Sequence, residues 1–498
     1  MRAAGPPDDR PEYARPGLDP GGGRRGPGTA DVAAHPLFLT DPEIRAGYAE
    51  DASGLVQVPA AVARPANEAE VIELVRHCAA HRIPLTAQGL RSSTTGSAVA
   101  ARGVVVSFER MAALSRIDRE RAFATAGPGI VTADLKARVQ AAGLFYPPDP
   151  TSEEESTLGG NVATNASGSR TYRYGATRRY VRALRLVRAN GEVAVLRRVR
   201  TAKNATGYYG FQDPIDLVIG SEGTLGLVTE VTVDLLPAPR GFFGALAFFR
   251  DWQRAIRFVL AADAGRRAGR VAPRCLEFFD AAALELLAPA SGSLRVPPEA
   301  GAAIFFEEEG EPHEMAAALE RWAPLIEDHE GLLDATIVAQ SPEEKRALRR
   351  LRHAIPSTMD ERGKAALRRG GRRVGTDFAV PLEHLPALLE RAYALIAEGF
   401  PGPAIIYGHV GNGHPHINLL AEDAARLPAA LATARRLTRA ALDLDGTLTG
   451  EHGIGKVKTD YLREFYPPWW LAGMQAVKRA FDPDGILAPG NIFGDEEG

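Results

Sequence analysis

The sequence is poor in cysteine: Cys78 and Cys275 are the only two in 498 residues. A disulfide scaffold is excluded, as is an iron–sulfur cluster held by this chain alone, which would want about four thiolates. A reducing, cytoplasmic compartment is the expectation. Lysine is also scarce, with seven residues, and the basic complement is mostly arginine. Lys+Arg total 59 against 62 Asp+Glu, a net charge of −3, so there is no cationic excess to hold nucleic acid. No run reaches about 18 consecutive apolar residues, the length of a membrane-spanning helix. Two phosphate-binding fingerprints are missing as well. No strand–GxGxxG–helix unit supports a Rossmann nicotinamide site, and no GxxxxGK[ST] supports P-loop chemistry.

What is present is ordinary for a globular protein, with 45% hydrophobic and 24% charged residues. At about 150 residues per domain the length suggests roughly three domains or two large ones. Residues 1–35, rich in Pro, Gly and Arg, have almost nothing to bury and read as a disordered tail. Asn67 and Glu70 then open a helix by a capping-box pattern, with Val71, Leu74, Val75 and Cys78 as its buried stripe. Pro84 starts a strand that runs into a polar glycine loop, and GVVVSF (103–108) is a buried strand. Thr132 to Ala142 reads as a short helix, and Asn190-Gly191 marks a hairpin. The run 216–237 reads as two strands split by a glycine-rich turn. This half is α+β with many antiparallel pairs.

Pro237-Ala-Pro239 marks a boundary, after which elements lengthen and alternate. Helices are expected near 250–264, 312–326, 342–355 and 383–398, and strands at 302–308, 333–339, 374–381, 404–410 and 414–420. That order resembles the βαβ units of a ferredoxin-like sheet. No internal repeat is evident.

Four of the eleven histidines fall between 409 and 452. In an extended strand His414, His416 and Asn418 share one face, and Gly411 and Gly413 let the backbone return His409 to them. With Glu451, imidazoles of this cluster make a three-ligand set with an open position, the composition of a catalytic divalent-metal site. The alternative is that these histidines cap turns and satisfy buried polar groups. A second constellation, YPPDPTSEEESTLGGNVATNASGSRTYRYG (146–175), offers glycines for close backbone approach and uncharged donors, and suits a pyrophosphate or a polar ring. GSEGTLGLVTE (220–230) is a third, weaker glycine turn.

Taken in order, the polar glycine run, GSEGTLGLVTE, HVGNGHPHIN and GEHGIGK resemble the FAD-linked oxidases of the vanillyl-alcohol oxidase and p-cresol methylhydroxylase superfamily. The branch is that of the D-2-hydroxyacid dehydrogenases, with D-lactate dehydrogenase and the glycolate oxidase flavin subunit, and the resemblance runs from Tyr48 to Phe493. It implies an α+β fold: an FAD-binding domain at 48–237, a ferredoxin-like cap at 240–445 holding the substrate and metal site, and a segment 446–493 returning to the FAD domain.

The resemblance assigns the flavin pyrophosphate to Gln88, Gly89, Leu90, Arg91, Ser92, Ser93, Thr94 and Gly96. The family usually has Arg at the first of these and a second Gly at Arg91. No histidine in that loop can tether the flavin, so dissociable, non-covalent FAD is implied. Pro148, Gly159, Gly160, Asn161, Asn165 and Gly168 match the flavin-lining run, and Glu222, Gly223, Gly226 and Val228 the adenine-side turn. His409, His416 and Glu451 carry over as ligands of a divalent metal, taken as zinc, while Asn412 and His414 stand where the family motif has Asp and Asn. His452 matches the catalytic base, Arg352 the arginine that grips the substrate carboxylate, and Asn418 a polar substrate or metal-shell residue. Arg349 replaces a tryptophan common in the family. The implied reaction is oxidation of a D-2-hydroxyacid of the D-lactate, D-2-hydroxyglutarate or glycolate class to the 2-oxoacid. Electrons would leave to a quinone, an electron-transfer flavoprotein or a partner subunit. Peripheral contact with a membrane and a homodimer are compatible with it. Two rivals stay open: a metal-dependent hydrolase without flavin, and a non-catalytic flavin subunit of a larger oxidase complex.

Overall fold

The computed structural model describes residues 32–287 and 296–494, so most of the segment expected to be a disordered tail lies outside the described residues. Near the start, a four-stranded sheet contains β1 (Phe38–Leu39), β2 (Ala61–Ala63), β3 (Leu85–Gln88) and β4 (Val104–Ser107) in the order β1-β2-β4-β3. Helix α1 (Glu68–Ala80) crosses between β2 and β3, and both pair with β4 in parallel. β4 is buried along its whole length, as a strand covered on both faces must be. The expected stripe of α1 is the buried one. The Asn67 side chain accepts from the Glu70 amide at 3.0 Å, but the Glu70 carboxylate reaches back to the amide of Ala66.

A five-stranded antiparallel sheet follows. It contains β5 (Leu114–Asp118), β6 (Phe123–Ala126), β7 (Val181–Val187), β8 (Val193–Arg197) and β9 (Leu227–Asp234) in the order β5-β6-β9-β7-β8. Helices α2 (Thr132–Ala141) and α3 (Leu158–Thr164) lie between β6 and β7 in the chain. The β7–β8 hairpin turns at Asn190-Gly191 as expected. Only Gly191 takes positive φ, and its amide bonds the Arg188 carbonyl, so a wider turn replaces the two-residue form. Of the two strands expected in 216–237, the first is absent: Ile215–Val218 is one turn of helix behind Pro214. So short a segment does not distinguish strand from buried helix, and here packing chose.

The second half builds a seven-stranded antiparallel sheet. Strands β10 (Gly241–Phe249), β11 (Pro273–Asp280), β12 (Ala302–Gly310) and β13 (Ile337–Ala339) carry crossover helices α4 (Trp252–Arg267) and α5 (Met315–Asp328). Their order, β13-β10-β12-β11, is the ferredoxin-like one. Helix α6 (Pro342–Leu367) then leads to β14 (Arg372–Gly375), α7 (Leu385–Gly399), β15 (Ala404–His409), β16 (His414–Ala421) and α8 (Leu427–Leu442). Their order, β15-β16-β14, repeats the split βαβ, and β11 pairs with β15 to join the halves. The chain thus has a topological repeat that its sequence does not display. Two expectations are corrected here. α6 runs through Pro356 instead of stopping before it, because Leu351, Ile355, Met359 and Ala366 keep one face buried on both sides of the proline. The strand expected at 374–381 ends at Gly375, and the rest is irregular.

After Asp445 the chain forms α9 (Thr459–Phe465) and α10 (Pro468–Phe481) and packs on the first sheet, where the amide of Leu85 bonds the Ile486 carbonyl and that of Ala488 bonds Leu85. No helix among the described residues is long and apolar enough to cross a membrane.

Candidate functional site

β15 and β16 are paired so that His409 faces His414 across a tight connection, with Gly413 at φ 64. Alternation along β16 then puts His414, His416 and Asn418 on one face, as expected. Gly408 is required beside them, since a Cβ there would stand 2.7 Å from the His416 ring. Ligand atoms of His409, His416 and Glu451 all lie within 4.8 Å of one another. His409 Nε2 is 3.3 Å from Glu451 Oε1, and His416 Nε2 is 3.9 Å from Glu451 Oε2.

The other nitrogen of His409, Nδ1, meets Glu277 Oε1 at 2.8 Å. Burial alone would lower the His409 pKa, but Glu277 and Glu451 outweigh it and raise it to about 10. His416 is held well below the usual imidazole range by burial and by the neighbouring His414 and His409. Burial would raise Glu451, yet the three imidazoles pull it well below the carboxylate range. An ionised carboxylate, a neutral imidazole and a second imidazole oriented by an outer carboxylate form a donor set that fits a divalent cation.

His452 stacks on His416 with ring centroids 5.8 Å apart, and its Nδ1 is 3.2 Å from Asp377 Oδ1. Arg352, on α6, is mostly buried, its side chain makes no hydrogen bond among the described residues, and Nε sits 3.7 Å from Glu277 Oε2. It lines a pocket with Asp149, Pro150, Arg170, Phe305, Glu307 and Arg349. Arg170 is consumed there by Asp149 and Glu307, and Arg349 by Glu153, so Arg352 is the guanidinium left to receive an anion. Asn418 is buried on the face of β16 that carries His414 and His416. Glu277 and Asp377 were missed by sequence reasoning. Their one signal was an acidic side chain inside an apolar run, CLEFFD and VGTDFAV.

The flavin-run residues gather around the same place. Gly89 packs on Thr157, the N-cap of α3, and Asn161 bonds Thr132 at 2.7 Å. Asn165 ends α3 in a left-handed conformation, and a Cβ on Gly168 would strike the Asp149 carbonyl, next to the buried Pro148. Ser93 bonds Thr95 and Ser97, and the Thr95 hydroxyl bonds the His452 carbonyl at 3.2 Å. Ser167 donates to Glu451 at 3.1 Å, so the glycine-rich run 146–175 touches the histidine–carboxylate cluster. Three placements differ in character from the assignment. The Leu90 side chain is exposed, the Arg91 guanidinium is spent on the Gly47 carbonyl, and the Glu222 carboxylate accepts from the amides of Ile454 and Gly455 at 2.7 and 2.8 Å. Burial lifts Glu222 to about 7 despite those two amides. Two buried oxygens of the loop, Gln88 Oε1 and Thr94 Oγ1, have no hydrogen-bond partner among the described residues, and both suit the oxygens and hydroxyls of a dinucleotide.

Residues 243–492 match the family of FAD linked oxidases, C-terminal domain, and residues 59–197 match an FAD binding domain. The chain belongs to the FAD-linked oxidases. It is 32% identical over 483 residues to the glycolate oxidase subunit GlcD of Bacillus subtilis, covering 93% of this chain and 97% of that one. It is 31% identical over 465 residues to the D-2-hydroxyglutarate dehydrogenase of Stutzerimonas stutzeri, covering 91% and 96%. In fold it is similar to p-cresol methylhydroxylase, with a TM-score of 0.68 at 16% identity over 92% of this chain and 94% of that one. An FAD-linked oxidase is an oxidoreductase, and the flavin-free hydrolase drops out.

Proposed function

We propose that this FAD-linked oxidase oxidises a D-2-hydroxyacid to the 2-oxoacid, with residues 48–237 and 446–493 holding the flavin and 240–445 the substrate. The observation that carries the reading is the convergence of His409, His416 and Glu451 beside Ser167 of the flavin run. A bound FAD supplies the hydride acceptor, and a divalent metal on His409, His416 and Glu451 supplies Lewis acidity toward the substrate hydroxyl. Arg352 binds the carboxylate through its free fork and so orients Cα. His452, whose pKa burial lowers against the opposing pull of Asp377, stands neutral and takes the hydroxyl proton. The names of the relatives support this substrate class, and the direction of the stereochemical preference rests on them. In this reading FAD is held without a covalent bond, the protein is cytoplasmic, and a quinone, an electron-transfer flavoprotein or a partner subunit takes the electrons.

The deciding experiment is anaerobic stopped-flow reduction of the purified yellow protein by D and L forms of lactate and 2-hydroxyglutarate, and by glycolate. Reduction by a D acid, much faster than by its L form, is expected; equal rates for both enantiomers, or no reduction by any member, would overturn the proposal. Acid precipitation should release the yellow colour into the supernatant, and colour retained in the pellet would contradict non-covalent binding.

A further inference from the structure

Asp377 is the most heavily used carboxylate of the site. It lies in the irregular stretch after β14, which is pinned to β16 and its approach by Thr376 N–H to the Ile417 carbonyl and Val380 N–H to the Gly413 carbonyl, both 2.9 Å. Its side chain is almost completely buried. Oδ2 accepts from Lys458 Nζ at 2.7 Å, from the His452 amide at 3.0 Å and from the Thr449 hydroxyl. Oδ1 accepts from the Glu451 amide at 3.3 Å and lies 3.2 Å from His452 Nδ1 and 3.3 Å from His414 Nε2.

Two uses compete for this carboxylate. Donor atoms of Asp377, His414 and His416 fall within 4.8 Å of one another, so the trio could hold a second cation. Against that, the Lys458 ammonium already neutralises Asp377, and a divalent ion on the same carboxylate would face a like charge in a buried setting. The second use needs no further ion. A carboxylate fixed 3.2 Å from Nδ1 favours the tautomer that keeps the proton on that nitrogen and leaves the Nε2 lone pair to act as base.

We infer that Asp377 is the positioning residue for His452: it anchors the Thr449–His452 backbone and fixes the imidazole with Nδ1 protonated, so that Nε2 receives the substrate proton. This rests on the proposed role of His452 as base. Asp377 acts through that ring and the backbone that carries it. His414 Nε2 lies 3.3 Å from the same Oδ1 and shares the carboxylate.

The test is flavin reduction by the preferred D acid in wild-type holoenzyme, Asp377→Asn, His452→Ala and the double variant, with FAD and metal content measured on each. Asp377→Asn is expected to slow reduction by about 10²–10⁴-fold, the worth of a correctly poised base, with metal content, FAD content and product 2-oxoacid affinity close to wild type. The double variant is expected to be about as slow as His452→Ala alone, because both changes remove one device. Three results would overturn the inference: wild-type reduction by Asp377→Asn beside a slow His452→Ala, losses that multiply in the double variant, or a second metal equivalent in wild type that Asp377→Asn loses. A His452→Ala variant as fast as wild type would instead remove the base itself. Because loss of the Lys458 partner could prevent folding, the tautomer is also read directly in wild type by ¹⁵N NMR of labelled histidine, with His452 assigned by its absence in His452→Gln. Protonated Nδ1 is expected, and protonated Nε2 with bare Nδ1 overturns the proposal.

Discussion

Two rows of imidazoles occur in this chain, and they are alike in ring spacing and unlike in everything else. His35, His77 and His81 have centroids 4.7 and 4.4 Å apart, beside the C-terminal end of α1. His409, His414, His416 and His452 are spaced 4.5–5.8 Å apart between β15, β16 and the loop before α9. In the first row the nitrogens are spent locally. His77 Nε2 meets the Ala33 carbonyl, His81 Nδ1 the His77 carbonyl, and His35 Nδ1 the Leu37 amide. The second row is interleaved with Glu277, Asp377 and Glu451, and its ligand atoms converge. Ring proximity therefore does not make a site. Carboxylates placed between the rings do, because they decide which imidazole is charged, which is neutral and which nitrogen is free.

The sharpest way to break this contrast is to remove members of the second row. His416→Ala should cost about one equivalent of metal, the content of one such site, by elemental analysis. His452→Ala should slow flavin reduction by roughly 10²–10⁴-fold at unchanged metal content. Equal metal in His416→Ala and wild type would end the claim that the second row is a metal site.

Next in size is Arg352, which links the second row to the pocket through Glu277. Arg352→Lys keeps the charge and loses the planar fork. Loss of a charge-assisted hydrogen bond, about 1.5–3 kcal/mol, should raise the dissociation constant of the 2-oxoacid product roughly 10- to 100-fold, with a smaller effect on the limiting reduction rate. An unchanged constant in equilibrium titration would place the carboxylate elsewhere.

A smaller effect is expected at His414, which stands with Asp377 rather than in the ligand triad. His414→Asn should retain its metal and lose less than about tenfold in reduction rate, below the usual worth of a catalytic base. A lost equivalent would make His414 a ligand and widen the second row.

The smallest effects belong to the first row. His77→Ala should keep its metal and its activity, and its stability should fall by about 1 kcal/mol, the worth of the hydrogen bond to the Ala33 carbonyl. One pH effect is expected there. Burial and then His77 hold His35 below the usual imidazole range, against a weaker opposing pull from Glu73. The unfolded chain therefore takes up this proton first, and stability should be lost as pH falls below about 6.5. Thermal unfolding at pH 7.5 and 5.5 should show that loss in wild type and less of it in His35→Asn. An identical slope in both would remove His35 from the account.

The contrast also separates what local sequence could determine from what it could not. The stripe of α1, the hairpin at Gly191, the shared face of His414, His416 and Asn418 and the turn that returns His409 follow from period, capping and glycine, all acting within a few residues. The motif order was enough to resemble the FAD-linked oxidases, and it pointed to the triad His409, His416 and Glu451. Other features were settled only by packing. Ile215–Val218 became helix, α6 ran past Pro356, and two ferredoxin-like halves joined through β11 and β15. Above all, the outer carboxylates came from far away: Glu277 is 132 residues from His409, and Asp377 is 75 from His452. No periodicity reaches across such distances. A buried charge must find its counter-charge wherever the fold brings one, and that pairing exists only once the sheets have closed around it.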